Sequence, residues 1–314
     1  MKEKLREKIL IIREIVKNMI MGNRLLKDFR GKITSGRTTG ALNVDEALDH
    51  SLSIFEQYQL GLADAGFSNS FIEKKSILEI GPGSNLGVQL SFISEGARRA
   101  YALDRFEDVQ STSKETALYD RIVFRLNEEK RKKCSEAYRS KSDFPVFTDD
   151  KIKYIGNCSI EEALSEFTDE SGKITMEFDL IVSHLALEHI ADINKGIYSI
   201  AELMKPGGIC IFICNLGSLG GVYKHEEERL RLLYYPEKLW RRMFSERGGS
   251  NRVRAQEYKE LLEKNDFSIL SFNILERMPL AEVIKIKPYF DEQFKKYSDD
   301  ELSILKFRIV ARKK

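Results

Sequence analysis

Cysteine, tryptophan and histidine are scarce in this 314-residue chain, which has four cysteines, one tryptophan and four histidines. No two cysteines form a CxxC pair, and Cys210 and Cys214 fall in the apolar run ICIFIC, so we expect buried reduced thiols rather than metal ligands. No apolar stretch reaches the ~20 residues that a membrane-spanning helix needs, and the N-terminus is charged throughout. We therefore expect a cytoplasmic protein without a cysteine-based metal site.

An excess of one charge is also missing, because 51 basic side chains face 49 acidic ones. The chain as a whole lacks the electrostatic footprint of a nucleic-acid binder, and we expect no nucleic-acid partner. Residues 1–34 are the local exception, with ten basic and four acidic side chains. Apolar residues recur there at helical spacing and predict an amphipathic basic helix: Leu5, Ile9, Ile12, Val16, Met19 and Ile20. Such a helix packs on the main domain, joins a homo-oligomer or contacts a membrane surface.

From Ser76 onward, short apolar runs alternate with predicted helices, which indicates an α/β fold with a mostly parallel sheet. The last two runs suggest a hairpin-like edge. The predicted strands are SILEIG (76–81), RRAYALD (98–104), KIKYIG (151–156), FDLIVSH (178–184), GICIFIC (208–214), FSILSFNIL (267–275) and LKFRIVAR (305–312).

The domain plan is a helical N-terminal extension or lid over residues 1–70 and a main domain over 71–314. A Gly- and Ser-rich linker separates the basic helix from a second predicted helix, Val44 to Ala65. Two insertions interrupt the main domain. The segment 105–150 is too long for a plain crossover and predicts an added helix with EEKRKK on its solvated face. The segment 215–255 is rich in aromatic and arginine side chains, either as a wall for a substrate or as ordinary core.

Residues 77–87 read ILEIGPGSNLG, a buried-strand pattern that stops at a tight glycine turn before a predicted helix. Glycines without a Cβ allow backbone amides to approach a ligand closely at the start of that helix. A dinucleotide fingerprint requires Gly or Ala three positions after its second glycine, where this chain has Leu86. The carboxylate of Glu79 repels a pyrophosphate and suits a cationic group. The expected ligand is therefore nucleoside-like and positively charged.

These motifs together resemble those of class I S-adenosylmethionine-dependent methyltransferases. Glu79-Ile80-Gly81-Pro82-Gly83, the acid Asp104, the segment FDLIVSHLALEH and the turn LMKPGG occur in the order of that family. The resemblance covers residues 70–275 and the closing strand. It implies a Rossmann-like, seven-stranded, mostly parallel sheet flanked by helices.

The resemblance also implies the cofactor, S-adenosyl-L-methionine, which carries a sulfonium and an amino group but no phosphate. By analogy with the family, the backbone from Gly81 through Pro82 and Gly83 to Asn85 contacts the methionine part, and Glu79 binds its amino group directly or through water. Asn85 replaces a common third glycine, and asparagine tolerates the left-handed conformation that such a position requires.

Further cofactor contacts are expected at the ends of the next strands. Asp104 is expected to accept hydrogen bonds from both ribose hydroxyls, the alternative being a helix N-cap. Asn157 takes the position of the acid that commonly binds the adenine amino group. The expected cofactor-binding set also includes Arg105, Cys158 and Ser183.

Catalysis requires a proton acceptor if the methyl acceptor is an alcohol, and histidine is the natural general base. His184 ends the fourth predicted strand, and His189 follows five residues later. His225 lies in the segment after the fifth strand, which overhangs the acceptor in the family's topology, and it is the preferred base. Glu188 and Glu226 are carboxylate alternatives.

The sequence therefore predicts methyl transfer to a hydroxyl of a small molecule, sugar or glycan. Two other functions remain open at this point. An NAD-dependent Rossmann oxidoreductase shares Asp104 and the glycine turn but is disfavoured by Leu86 and Glu79. A non-catalytic scaffold would bind the cofactor and engage a partner through the basic N-terminal helix.

Overall fold

The computed structural model describes residues 2–22, 42–141, 144–218, 226–244 and 249–314. Its strands are β1 (Ser76–Ile80), β2 (Arg99–Leu103), β3 (Tyr138–Lys141), β4 (Phe144–Phe147), β5 (Ile152–Ile155), β6 (Phe178–His184), β7 (Met204–Asn215), β8 (Phe267–Arg277) and β9 (Ile304–Lys313). Seven of them form one sheet in the order β5-β2-β1-β6-β7-β9-β8, in which β9 alone runs opposite to the other six strands. All seven predicted strands and the predicted fold class are confirmed.

Helices cover both faces of this sheet, and two clusters of buried side chains lie between the layers. None of the helices in the described ranges combines the length and the apolar character needed to cross a bilayer. The helices are α1 (Lys2–Gly22), α2 (Val44–Asp64), α3 (Gly87–Ser94), α4 (Ser113–Phe124), α5 (Glu128–Ser135), α6 (Ile193–Leu203), α7 (Glu237–Met243), α8 (Ala255–Lys264), α9 (Leu280–Ile286), α10 (Glu292–Lys295) and α11 (Asp299–Ser303).

The central strands are buried on both faces, which explains their continuous apolar sequences. Every residue of β1 is buried, and so is the apolar run of β7 from Ile209 to Cys214. Parallel strands covered by helices on both sides require such runs instead of an alternation of polar and apolar residues. All four cysteines are buried and unpaired, as predicted.

Helix α2 packs directly on the sheet. Its start is fixed by a capping box between Asn43 and Glu46. A Cβ on Gly61 would lie 2.7 Å from Cγ2 of Ile211, so the helix approaches β7 closely because glycine stands there. Buried Arg308 of β9 donates a 3.1 Å hydrogen bond to Gln57 of this helix. The division at residue 70 stays a prediction, but α2 shares the hydrophobic core of the sheet.

The insertion 105–150 contains more structure than the single helix predicted. It holds α4, α5 and an antiparallel pair formed by β3 and β4. Within EEKRKK and its flanks, α5 buries only Cys134, so the prediction of a solvated face is confirmed. The sequence missed the β3–β4 pair because Tyr138–Lys141 has mostly exposed, charged residues. Its apolar contacts come instead from Tyr138 and Phe147, which pack edge to face on Tyr119 of α4.

The prediction of a terminal hairpin-like edge was wrong in its connection. The strands β8 and β9 pair antiparallel, but β9 lies inside the sheet next to β7, and helices of residues 278–303 separate the two strands. Residues 226–244 and 278–303 share a third apolar cluster, and we call these two segments the cap. Because β7 and β8 are parallel and β9 runs against them, both segments leave or enter at the carboxyl edge of the parallel strands.

Candidate cofactor and acceptor site

The carboxyl ends of β1, β2 and β5 are joined by backbone hydrogen bonds beyond the regular ladder. Gly81 N donates to Leu103 O at 2.9 Å, and Asp104 N donates to Ile155 O at 2.9 Å. Cys158 N in turn donates to Asp104 O at 3.0 Å. The structure thus brings the glycine turn, the predicted ribose acid and the segment after β5 together at one edge, where ligands of open α/β sheets bind.

The glycine turn requires glycine at two positions. Gly81 and Gly83 both have a φ of 76°, a left-handed conformation that side chains disfavour. A Cβ on Gly81 would also lie 2.5 Å from the Cβ of Ala186, which follows β6. The buried hydroxyl of Ser183, the next-to-last residue of β6, donates to Ile80 O at 3.1 Å and fixes β6 against the start of the turn.

Asn85 does not take the left-handed conformation that the family pattern suggested, since it is absent from the described residues with positive φ. Its side chain has a structural task instead. The oxygen Oδ1 accepts hydrogen bonds from Gly87 N at 2.9 Å and from the hydroxyl of Ser51 in α2 at 3.1 Å. Leu86 N donates to the hydroxyl of Tyr119 at 2.9 Å. Because protein atoms satisfy these two amides at the start of α3, they are not available to cradle a pyrophosphate.

Glu79 is 2% exposed, and its two carboxylate oxygens are held from two different helices. Oε1 accepts a 2.8 Å hydrogen bond from the hydroxyl of Tyr58 in α2, and Oε2 accepts one from Nε2 of Gln89 in α3. Burial raises the pKa of Glu79 to about 7, although both hydrogen bonds oppose the shift. A cation at this carboxylate would therefore offset an electrostatic cost that the fold imposes.

Sequence reasoning missed Tyr58 and Gln89. In α2 the buried residues Ser51, Phe55, Tyr58 and Leu62 follow helical spacing and mark its inner face, so the burial of Tyr58 could be read from the pattern. Its hydrogen bond to Glu79 could not be read from the sequence. All residues of α3 are buried, and Gln89 is a polar residue in an otherwise apolar or small environment, which marks it as a side chain that needs a partner.

Asp104 directly follows β2, and its side chain forms a local turn. Oδ1 accepts a 2.9 Å hydrogen bond from Phe106 N, two residues on. The alternative of a helix N-cap was wrong, because the next helix starts at Ser113 and its N-cap is Thr112. The carboxylate is partly exposed at the sheet edge.

The remaining predicted cofactor residues lie around Asp104. Arg105 forms a long ion pair of 3.9 Å with Glu161. Asn157 has a φ of 56° and donates from Nδ2 to Oε2 of Glu107 at 2.7 Å. Cys158 is buried, and burial raises the pKa of its thiol to about 11, so the thiol stays protonated at neutral pH. Asn157 is exposed at the edge of the candidate site, and its hydrogen bond to Glu107 orients its amide group.

His184 ends β6 and is neutral at physiological pH. Burial lowers its pKa to about 4, and the nearby positive charge of Lys306 and the ring of His50 act in the same direction. His50 belongs to α2, and burial lowers its pKa as well. His50 is thus near enough to His184 to affect its protonation, and the role of α2 as a lid stays a prediction.

His189 lies in a short 3-10 helix, Leu187–His189, and its ring is oriented by the backbone. Nδ1 lies 2.6 Å from the carbonyl oxygen of Gly249. A carbonyl oxygen can only accept, so Nδ1 carries the hydrogen of this bond. In the neutral ring, Nε2 is then the proton acceptor. His225, the preferred base, lies outside the described residues.

Glu188 is fully buried beside His189. Oε1 accepts a 3.1 Å hydrogen bond from Asn215 N at the end of β7, whereas Oε2 has no hydrogen-bond partner among the described residues. Burial raises the pKa of this carboxyl group, and the neighbouring His189 opposes the shift. Its complete burial separates Glu188 from an incoming substrate. Nothing can be assigned to Glu226, because its side chain is not among those described.

Two arginines of the predicted acceptor wall are structural. Arg254 is 1% exposed and donates to the carbonyl oxygens of Leu216 and Ile304 at 3.0 and 2.9 Å. Arg252 is buried, forms an ion pair with the half-exposed Glu237 and stacks 5.0 Å from the ring of Trp240. These guanidinium groups join the cap to the ends of β7 and β9. Of the two alternatives open for this segment, burial against protein carbonyl groups favours the structural one for Arg252 and Arg254.

Among the residues that the structure describes, no group of three or more histidine, cysteine or acidic side chains could hold a metal ion. The candidate site combines the glycine turn, the partly exposed Asp104, the buried Glu79, the neutral ring of His184 and the oriented ring of His189. These groups lie at one edge of the parallel sheet.

Comparisons with known proteins agree with this geometry. A family model described as a methyltransferase domain matches residues 54–271, more than half of the chain. The match begins inside α2, in accordance with the packing of that helix on the sheet. None of the curated protein sequences compared with the chain matches it.

Solved structures that resemble this chain include an S-adenosylmethionine-dependent methyltransferase from Mesorhizobium loti, which is 16% identical. The similarity covers 77% of this chain and 92% of that chain, with a TM-score of 0.41. One from Methanosarcina mazei is 15% identical, with 77% and 93% covered and a TM-score of 0.40. Such distant likenesses carry no argument about the substrate. The family match decides the class. A methyltransferase requires an acceptor, and S-adenosyl-L-methionine is the expected cofactor. This chain belongs to the methyltransferase domain family and is a methyltransferase.

Proposed function

We propose that this methyltransferase acts on a hydroxyl group of a small molecule, sugar or glycan. The observation that supports the proposal most is the ring of His189, whose Nδ1 hydrogen is committed to the carbonyl of Gly249 at 2.6 Å. A histidine held in this tautomer presents Nε2 as a proton acceptor. An alcohol needs such an acceptor as it attacks, whereas a thiolate or a neutral amine does not.

The proposed roles at the cofactor follow from the residues at the sheet edge. S-adenosyl-L-methionine, when bound, supplies an activated methyl group on a positively charged sulfur. In our proposal, the backbone from Gly81 to Asn85 approaches its methionine part. Gly81 gives the turn its close packing on Ala186, because an added Cβ would lie 2.5 Å from that side chain. Asp104 accepts hydrogen bonds from the ribose hydroxyls. Glu79 attracts the amino group, since a cation would stabilise the ionised form of a carboxyl group whose pKa is raised to about 7.

The chemistry left to the protein is orientation and proton transfer. In-line displacement at the methyl carbon is accelerated mainly by holding the acceptor oxygen in line with the donor. The proton of the hydroxyl passes to Nε2 of His189 in our proposal. His184 is neutral, but a base with a pKa of about 4 is a weak proton acceptor at neutral pH. His225 remains an alternative for the same role.

The substrate class can be tested with a panel of sugars and phenols, each paired with the analogue in which an amine replaces the hydroxyl. Formation of S-adenosyl-L-homocysteine and the methylated product would be followed by mass spectrometry. We expect methylation of hydroxyl members and little turnover of their amine partners. Methylation of the amine members alone would contradict the proposal, and the acceptor would then be nitrogen.

A further inference from the structure

Helix α1 exposes a continuous apolar stripe. Ile9 is 58% exposed, Ile12 62%, Val16 47% and Met19 70%. Their spacing of three, four and three residues places all four side chains on one face of the helix. This stripe is the set of Ile9, Ile12, Val16 and Met19, and it accounts for four of the large apolar side chains that the described part of the chain leaves exposed.

The opposite side of α1 is held by the protein, so the stripe faces away from the fold. Nδ2 of Asn18 donates a 3.1 Å hydrogen bond to the carbonyl oxygen of Arg242 in α7. Ile11 and Ile15, which project on the same side as Asn18, are half-buried. The helix therefore uses one apolar face for packing on α7 and retains a second apolar face for another partner.

The charge of α1 identifies the kind of partner. The helix Lys2–Gly22 contains six basic and three acidic residues. On a projection of about 100° per residue, the exposed side chains of Lys8 and Arg13 flank the stripe on its two sides. An apolar face bordered by basic side chains is the pattern of a helix that lies in a membrane interface and attracts anionic lipids. Two copies of this helix would bring like charges together if their stripes packed against each other.

We propose that the stripe of α1 docks this enzyme on the surface of a membrane that contains anionic lipids. The apolar side chains enter the boundary between headgroups and acyl chains, and the flanking basic side chains bind the lipid phosphates. The binding is peripheral. It does not depend on the identity of the methyl acceptor, and we expect it to leave the cofactor site intact, because the main contact of α1 within the described residues is with α7.

Co-sedimentation of the full chain with vesicles tests the proposal. One set consists of phosphatidylcholine alone, and the other contains about a third phosphatidylglycerol, enough to give a negative surface. We expect binding to the anionic set that weakens with salt. The double variant Ile12→Asp with Val16→Asp should bind about tenfold or more weakly, because charges replace apolar area in the interface.

Ile284→Asp is the matched control, because Ile284 is 58% exposed and lies on a different helix, α9. This variant should bind vesicles like the unaltered chain, and all variants should keep their affinity for S-adenosyl-L-methionine. The proposal is overturned if the unaltered chain does not sediment with anionic vesicles or if the double variant binds them equally well. It is also overturned if size-exclusion chromatography shows that the unaltered chain is a dimer and the double variant a monomer. The stripe would then bind a second copy of the chain.

Discussion

The hydroxyl of Tyr58 donates a 2.8 Å hydrogen bond to Oε1 of Glu79, and this bond connects helix α2 to the strand that ends in the glycine turn. Gln89 of α3 donates to the other carboxylate oxygen. The acid nearest to the turn is thus oriented by two helices that pack on the same face of the sheet. Helix α2 therefore orients an acid of the proposed cofactor site.

Replacement of Tyr58 by phenylalanine should lower the free energy of unfolding by about 1 to 3 kcal/mol, because a buried carboxylate loses its donor. Chemical denaturation would measure the loss. Tyr198→Phe is the control, since Tyr198 is 50% exposed and its hydroxyl can bind water. Equal stability of the two variants would mean that the Tyr58–Glu79 hydrogen bond contributes nothing to the fold.

The raised pKa of Glu79 predicts a specific dependence of stability on pH. Its pKa is 4.5 in the unfolded chain and about 7 in the fold, so the native state binds the proton more tightly. The resulting stabilisation is complete below pH 4.5 and is lost as the pH rises through about 7. Glu79→Gln should remove this dependence and gain stability relative to the parent between pH 5 and pH 8. Parallel profiles of unfolding free energy for the two proteins would exclude the shift.

Gly83→Val should abolish or strongly weaken cofactor binding while the sheet remains folded. The substitution places a branched residue at a φ of 76°. Its side chain also fills the space through which the backbone approaches a ligand. Gly172→Val is the matched control, because Gly172 has a φ of 84° with no atom within 4 Å of an added Cβ. The control carries similar backbone strain and should bind the cofactor normally. If both variants bind equally, the glycine turn has only a structural role.

The proposed general base can be tested with a side chain that keeps one nitrogen and removes the other. His189→Asn retains a donor for the carbonyl of Gly249 but lacks Nε2. Turnover should fall by about 10² to 10⁴ at unchanged cofactor affinity, and the acid limb of the rate profile should disappear.

Alanine variants of His184 and His225 provide the comparison for this test. If His184 were the base instead, the acid limb of the parent enzyme would lie near pH 4, where burial places the pKa of that ring. If His225→Ala alone lowers turnover, the base is in the segment after β7. Retention of turnover within about tenfold by all three variants would exclude a histidine base.

The sequence predicted the sheet and its ligand-binding edge because both depend on local patterns. Continuous apolar runs predict buried parallel strands, and Gly81 with Gly83 predicts a turn that only glycine tolerates. The hydrogen bond from Tyr58 to Glu79 joins residues 21 positions apart, and the bond from Ser51 to Asn85 joins residues 34 apart. Such pairs depend on how α2 packs on the sheet, which no local pattern contains.

Arg252 and Arg254, which contact the cap, illustrate the same limit. Arg252 and Arg254 stand in a basic, aromatic segment, and their sequence context indicates a charged surface. In the fold, Arg254 satisfies the carbonyl oxygens of Leu216, Leu302 and Ile304, at distances of 3.0, 3.3 and 2.9 Å. An arginine that binds backbone carbonyls of distant residues cannot be distinguished from a solvated one by residue type or spacing.

Calorimetric titration of the chain with S-adenosyl-L-methionine and with NAD tests the cofactor site most directly. We predict binding of S-adenosyl-L-methionine and no binding of NAD. Asp104→Ala should weaken the affinity by about 1 to 3 kcal/mol through loss of the ribose contacts. Asp104→Asn keeps an oxygen for Phe106 N, whose bond to Asp104 is 2.9 Å, and so controls for the local turn. Binding of NAD, or an unchanged affinity for S-adenosyl-L-methionine in both folded variants, would contradict the assignment of this sheet edge as the cofactor site.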